Sequence, residues 1–123
     1  MATILVVEDH VVTQRVLSKR LRDAGHEVSP ATNGLEALAL LKEGDVDLII
    51  SDIAMPEMDG LTLLRHIRSD ERLAHIPVIM LTTSVLDLHR QEAMQAGANG
   101  FLEKPVSSWE LEAMVKSRLQ GKI

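Results

Sequence analysis

The chain has 123 residues, 46% of them hydrophobic and 25% charged, with a formal net charge of −5 and no cysteine. That length fits one domain, residues 1–123, with a real core; the missing cysteines exclude a disulfide framework, a thiolate metal site and a Cys nucleophile, and the acidic balance gives no basic footprint for nucleic acid. No apolar run approaches the roughly 18 residues of a membrane span and the Met1 end lacks a secretory pattern, so no membrane association and a cytoplasmic location are expected.

Two periodicities alternate along the chain. Thr3-Ile4-Leu5-Val6-Val7 is a continuous apolar run ending in Glu8-Asp9, which predicts a buried strand. Val12, Val16, Leu17, Leu21 and Ala24 then follow helical spacing, and Gly25 is placed to stop that helix. Glu27 to Ala31 is a weaker strand, where Pro30 suits a sheet edge or a strand end. Asn33-Gly34 turns the chain into a second helix carrying Leu35, Leu38 and Ala39, with Gly44 beyond its end. A third strand, Val46 to Ile50 broken only by Asp47, runs into Asp52, and Pro56 and Asp59-Gly60 turn the chain away.

Leu61, Leu64 and Ile67 mark the face of a third helix. Pro77 to Leu81 is a fourth strand ending in Thr82-Thr83-Ser84, and a fourth helix over about Leu86 to Ala96 has scattered apolar positions. Gly97 and Gly100 bracket a turn into a short fifth strand, Phe101 to Lys104, closed by Pro105. Ser107 and Glu110 are spaced as a capping box for a last helix with Leu111, Met114, Val115 and Leu119 inward. Trp109 falls opposite that face, where a partner could reach it. Phe101 and Trp109 are the only aromatics, so Leu, Ile, Val, Met and Ala must fill the core. Five strand-helix units of this size predict an α/β doubly wound parallel sheet with helices on both faces.

In such a sheet the strand ends share one edge, so Glu8 and Asp9, Asp52, Thr82 and Lys104 converge there. Three crowded carboxylates repel unless a cation neutralises them. Oxygen donors without His or Cys favour a hard ion, Mg²⁺ or Mn²⁺. A hydroxyl and an ammonium facing the same pocket can receive phosphoryl oxygens. The set therefore suits phosphoryl transfer onto a carboxylate.

Four segments carry a further resemblance. They are Val6-Val7-Glu8-Asp9, Ser51-Asp52-Ile53-Ala54-Met55-Pro56-Glu57-Met58-Asp59-Gly60, Met80-Leu81-Thr82, and Gly97-Ala98-Asn99-Gly100-Phe101-Leu102-Glu103-Lys104-Pro105. In this order and at these intervals the chain resembles the receiver domains of two-component response regulators over essentially its whole length. The resemblance implies a flavodoxin-like fold with strand order 2-1-3-4-5. It implies that Asp52 is the phosphoacceptor, that Asp9 binds Mg²⁺ directly with Glu8 assisting through water, and that Ala54 adds its backbone carbonyl. Thr82 and Lys104 would contact the phosphoryl oxygens, Phe101 would stand at an aromatic switch position, and Lys104-Pro105 is where the family has a cis peptide. The implied donor is a sensor histidine kinase or a His phosphotransfer domain, with an effector downstream.

Rival classes fit less well. A phosphohydrolase with an Asp nucleophile needs a second acid two residues on, where this chain has Ala54. A flavin carrier needs a Ser/Thr/Gly-rich loop after the first strand, and residues 8 to 14 read Glu-Asp-His-Val-Val-Thr-Gln. The expectation is thus a signalling domain, not an enzyme, that assists its own phosphorylation and slow dephosphorylation. The five histidines read as surface or loop residues. Ala98 to Phe101 lacks the paired acids of receivers that dimerise through their last helices, so a monomer or weak dimer is expected.

Overall fold

Strands that read as unbroken apolar runs must be covered on both faces, and this requirement sets the architecture. The computed structural model describes residues 2–55, 58–83 and 88–120. Strands β1 (Thr3–Val7), β2 (Glu27–Ala31), β3 (Leu48–Asp52), β4 (Val78–Thr82) and β5 (Gly100–Glu103) alternate with helices α1 (Val11–Asp23), α2 (Gly34–Glu43), α3 (Gly60–Ser69), α4 (Leu88–Gln95) and α5 (Ser108–Gln120). All strand pairs are parallel, in the order β2-β1-β3-β4-β5. This is the doubly wound, flavodoxin-like order, and it brings every strand's carboxyl end to one edge.

Alternation along each strand divides the core in two. Leu5, Val7, Ile49 and Met80 pack with Ala37, Leu41, Leu64, Ile67 and Ala93 from α2, α3 and α4. Ile4, Val6, Leu48, Ile50, Ile79 and Leu81 face Leu17, Leu21, Leu111 and Val115 from α1 and α5. Each fully buried Leu or Ile contributes about 2 kcal/mol of transfer free energy. Helix starts are set by side chains that take otherwise unmet amide protons. Asn33 accepts from the Glu36 amide, Asp59 from Thr62, and Ser107 from Glu110.

Pro30 sits on an edge strand, as its missing N–H requires. The ladder bonds Glu27 N to Ala2 O and Glu8 N to Ala31 O turn the odd-numbered amides of β2 towards β1. The nitrogen of Pro30 therefore faces the open edge, where no ladder bond is lost.

Two helix faces differ from the sequence reading. On α1 the buried positions are Gln14, Leu17, Ser18 and Leu21, while Val12 and Val16 stand exposed. On α2 they are Gly34, Ala37 and Leu41, and Leu35 is outside. In both helices small or polar residues occupy the sheet-facing stripe, so reading hydrophobicity alone rotated the helix. The expected faces of α3 and α5 agree with the buried residues.

At the edge opposite Asp52, Arg68 of α3 joins two connections, α3 to β4 and α4 to β5. Its guanidinium donates to Gly97 O, Ala74 O, Ile76 O and Asn99 Oδ1. Asn99 Oδ1 also accepts from Val78 N at 2.8 Å, so the clamp fixes the start of β4.

Candidate functional site

The end of β1 delivers Glu8 and Asp9, the end of β3 delivers Asp52, and Lys104 follows β5 directly. Glu8 is fully buried, Asp52 is nearly so, and Asp9 is exposed. One carboxylate oxygen from each of the three acids lies within 4.8 Å of the others. Lys104 Nζ lies 2.6 Å from Glu8 Oε1 and 2.5 Å from Asp52 Oδ2, bridging two strand ends with one ammonium. The second Asp52 oxygen accepts from Ala54 N at 3.2 Å, and the second Glu8 oxygen accepts from His10 N at 3.1 Å. Both buried carboxylates are therefore held by direct contacts rather than by rotamer preference alone.

Thr82 ends β4 and is buried, whereas its neighbour Thr83 is exposed. Lys104 N donates to Thr82 O at 2.7 Å, so the two residues share the last rung between β4 and β5. The Lys104-Pro105 peptide is cis. Phe101 is half-buried, and the guanidinium of Arg90 from α4 lies 4.9 Å from its ring centroid. Ser84, Pro56 and Glu57 lie outside the described residues.

Burial pushes the Glu8 carboxyl above its ordinary value, against the opposing pull of Lys104 and the His10 amide. For Lys104, burial acts to lower the value, but the contacts with Asp52 and Glu8 outweigh it and hold the ammonium above its ordinary value. The Glu8 shift has a stability consequence in metal-free protein. Protonation of Glu8 stabilises the fold fully below its unfolded value of 4.5, and that contribution is lost as pH rises through the elevated folded value. In EDTA, Glu8→Gln should therefore be more stable than wild type at pH 7. The difference should vanish below the unfolded Glu8 value. Denaturant titrations across this pH range check it; a variant less stable than wild type at pH 7 would contradict the assignment.

The acids also fit a hard divalent cation on their own chemistry. They supply only oxygen, from three carboxylates, and one of them, Asp9, is open to solvent. The model of the response regulator receiver domain family matches residues 4–116. The chain belongs to that family.

Relatives of this receiver domain include the chemotaxis protein CheY-3 of Vibrio cholerae, 42% identical over 110 residues, covering 89% of this chain and 85% of that protein. Histidine kinase P4 of Formosa agariphila is 36% identical over 122 residues, which is 99% of this chain but 9% of that much longer protein. Among solved structures, the receiver domain of the sensor histidine kinase PA1611 from Pseudomonas aeruginosa superposes with a TM-score of 0.90 at 33% identity, covering 97% of this chain and 98% of that one. That structure has a magnesium ion coordinated in its active site cleft. The same domain thus occurs alone and inside kinases. Among the described residues, no helix is long and apolar enough to cross a membrane.

Sequence reasoning placed the acids, Thr82 and Lys104 at one edge, and the structure brings them to that edge. It missed Gln14, a buried amide beneath the first strand's end. The i, i+3, i+4, i+7 set Gln14-Leu17-Ser18-Leu21 was the available signal, masked by the valines beside it. It also missed Arg90 over Phe101, because a cation on a helix with scattered apolar positions ordinarily reads as solvated.

Proposed function

We propose that residues 1–123 form one receiver domain in which Asp52 accepts a phosphoryl group from a phosphohistidine on a sensor histidine kinase or His phosphotransfer domain. The observation that carries this reading is Lys104, whose ammonium bridges Asp52 and Glu8 at 2.5 and 2.6 Å beside the open carboxylate of Asp9. In the reaction an Asp52 oxygen forms a bond to phosphorus, and the bond from phosphorus to the donor imidazole breaks. The imidazole nitrogen leaves with the electron pair. Lys104 exchanges its carboxylate contact for a phosphoryl oxygen, and Thr82 supplies a hydroxyl to another. Glu8, Asp9, Asp52 and the Ala54 carbonyl would hold Mg²⁺, with Mn²⁺ as a substitute. The ion would supply positive charge against the charge that develops in transfer.

A protein-sized donor is supported by the surroundings. Val11 and Val12 stand exposed on the first turn of α1, and Val12 and Val16 line a groove of about 340 Å³ with Lys104, Pro105 and Val106. Apolar surface beside a charged pocket favours docking of another protein over capture of a small ion. The domain acts as a signalling module, not as an enzyme on a separate substrate, and an effector reads its phosphorylated form.

Incubation with acetyl phosphate and Mg²⁺ should add one phosphoryl mass. Asp52→Asn and EDTA should each abolish it; undiminished labelling in either contradicts the reading.

Two further outcomes follow. Ala54 is exposed beside the acceptor, so Ala54→Leu should shield phosphorus from in-line water. Phosphoryl loss after donor removal should slow several-fold in the variant, with folding unaffected; unchanged or faster loss means water arrives by another route. The second concerns Phe101 as a switch. Arg90 covers its ring from α4, so a change relayed through Thr82 has a direct path into that helix. Beryllofluoride with Mg²⁺ should shift amide signals across residues 82 to 104 well beyond the acids. Shifts confined to Glu8, Asp9, Asp52 and their neighbours would contradict the coupling.

A further inference from the structure

Gln14 is a polar side chain in a position where α1 should bury a hydrophobe, and it is only 7% exposed. Both N–H donors of its amide are used. Nε2 donates to Val6 O and to Ala31 O, each at 2.9 Å, and Oε1 accepts from Ser18 Oγ at 2.7 Å. Ser18 is itself buried and fixes which end of the amide faces the sheet.

The two carbonyls it grips are significant. Ala31 O also accepts from Glu8 N at 2.9 Å, so it belongs to the last rung between β1 and β2. Val6 O lies two residues before Glu8 on β1. Gln14 N in turn donates to His10 O at 2.9 Å, and His10 N donates to the Glu8 carboxylate. The side chain and backbone of Gln14 therefore hold the segment Val6 to His10 from both ends. That segment carries two of the three clustered acids. β2 is an edge strand, so without the clamp its last rung has no second neighbour to keep it closed.

We propose that Gln14, oriented by Ser18, is a positioning residue that holds Glu8 and Asp9 at the spacing a divalent cation requires. The proposal rests on the reading of Glu8, Asp9 and Asp52 as cation ligands. Gln14 touches no reacting atom; it acts through the terminal rung. Partners one step removed from a metal typically tune its affinity tenfold or more when lost.

The test uses Gln14→Met, which keeps the side chain's length and apolar packing while removing both donors. In calorimetric titration its Mg²⁺ dissociation constant should rise about tenfold over wild type, with a smaller rise in Ser18→Ala. A metal-free readout accompanies it: the Glu8 amide should exchange with solvent faster in Gln14→Met, while the central Ile50 amide keeps its protection. Val115→Ala, a destabilising core substitution between α5 and the sheet, should leave the Mg²⁺ constant unchanged. An unchanged constant in Gln14→Met, or an equal rise in Val115→Ala, overturns the proposal. If Gln14→Met does not fold, Ser18→Ala is judged by the same comparison. Wild-type protein that binds no Mg²⁺ overturns the cation reading itself, which the unchanged-constant outcome leaves standing.

Discussion

Gly60→Ala should destabilise the fold by about 3 kcal/mol and displace Asp52 in the molecules that still fold. Gly60 opens α3, and its amide donates to Ile53 O at 2.8 Å, drawing the turn tightly against the end of β3. A Cβ at Gly60 would lie 1.9 Å from the carbonyl oxygen of Asp52 and 2.9 Å from both its carbonyl carbon and Met80 Cε. The atoms in the way are mostly backbone, which cannot rotate aside, so either α3 or the Asp52 peptide must move. Gly44 provides the contrast. It is extended, and a Cβ there meets nothing within 4 Å. Gly44→Ala should change stability by no more than about 0.5 kcal/mol. Denaturant midpoints of the two variants against wild type decide the matter. A Gly60→Ala protein as stable as wild type would mean the turn does not press on Asp52.

Lys104→Met should slow labelling of Asp52 by about 100- to 1,000-fold, the range seen when a preorganised charge-stabilising donor is removed. The ammonium stands between Glu8 and Asp52 and is held above its ordinary value by both. It is therefore charged at neutral pH. Mg²⁺ binding should move the opposite way. On the proposed function Lys104 would compete with a cation for Glu8 and Asp52 oxygens, so its removal should tighten Mg²⁺ while slowing transfer. Initial labelling rates and calorimetric Mg²⁺ titrations separate the two effects. A variant that labels at the wild-type rate, or that loses Mg²⁺ affinity together with rate, would contradict this division of roles.

Much of this arrangement was legible in the sequence because strand ends are easy to find. Val6-Val7 and Ile49-Ile50 are buried runs that stop on acids, and a parallel sheet must bring such ends together. The strand order was not contained in periodicity; it came from the resemblance carried by four segments in order, Val6 to Asp9, Ser51 to Gly60, Met80 to Thr82 and Gly97 to Pro105. What the sequence hid were contacts that depend on three-dimensional register. Gln14 and Ser18 look like solvent-facing residues, and only the docking angle of α1 turns them inward. Val12 and Val16 look like core, yet they border the groove beside Lys104. Gly60 reads as an ordinary turn residue until the Asp52 carbonyl is found beneath it.

On the proposed function one carboxylate, Asp52 at the end of the third strand, carries the phosphoryl group. The most direct measurement is to phosphorylate the protein with a phosphohistidine donor domain in Mg²⁺ and trap the acyl phosphate by borohydride reduction. Mass mapping of the tryptic peptides, Glu43 to Arg65 for Asp52 and Asp59 and Met1 to Arg15 for Asp9, then locates the reduced residue. Conversion to homoserine is expected at Asp52 alone and is expected to be absent in EDTA. Conversion at Asp9, Asp59 or another acid with Asp52 intact, or a stable label that borohydride does not remove, would contradict it.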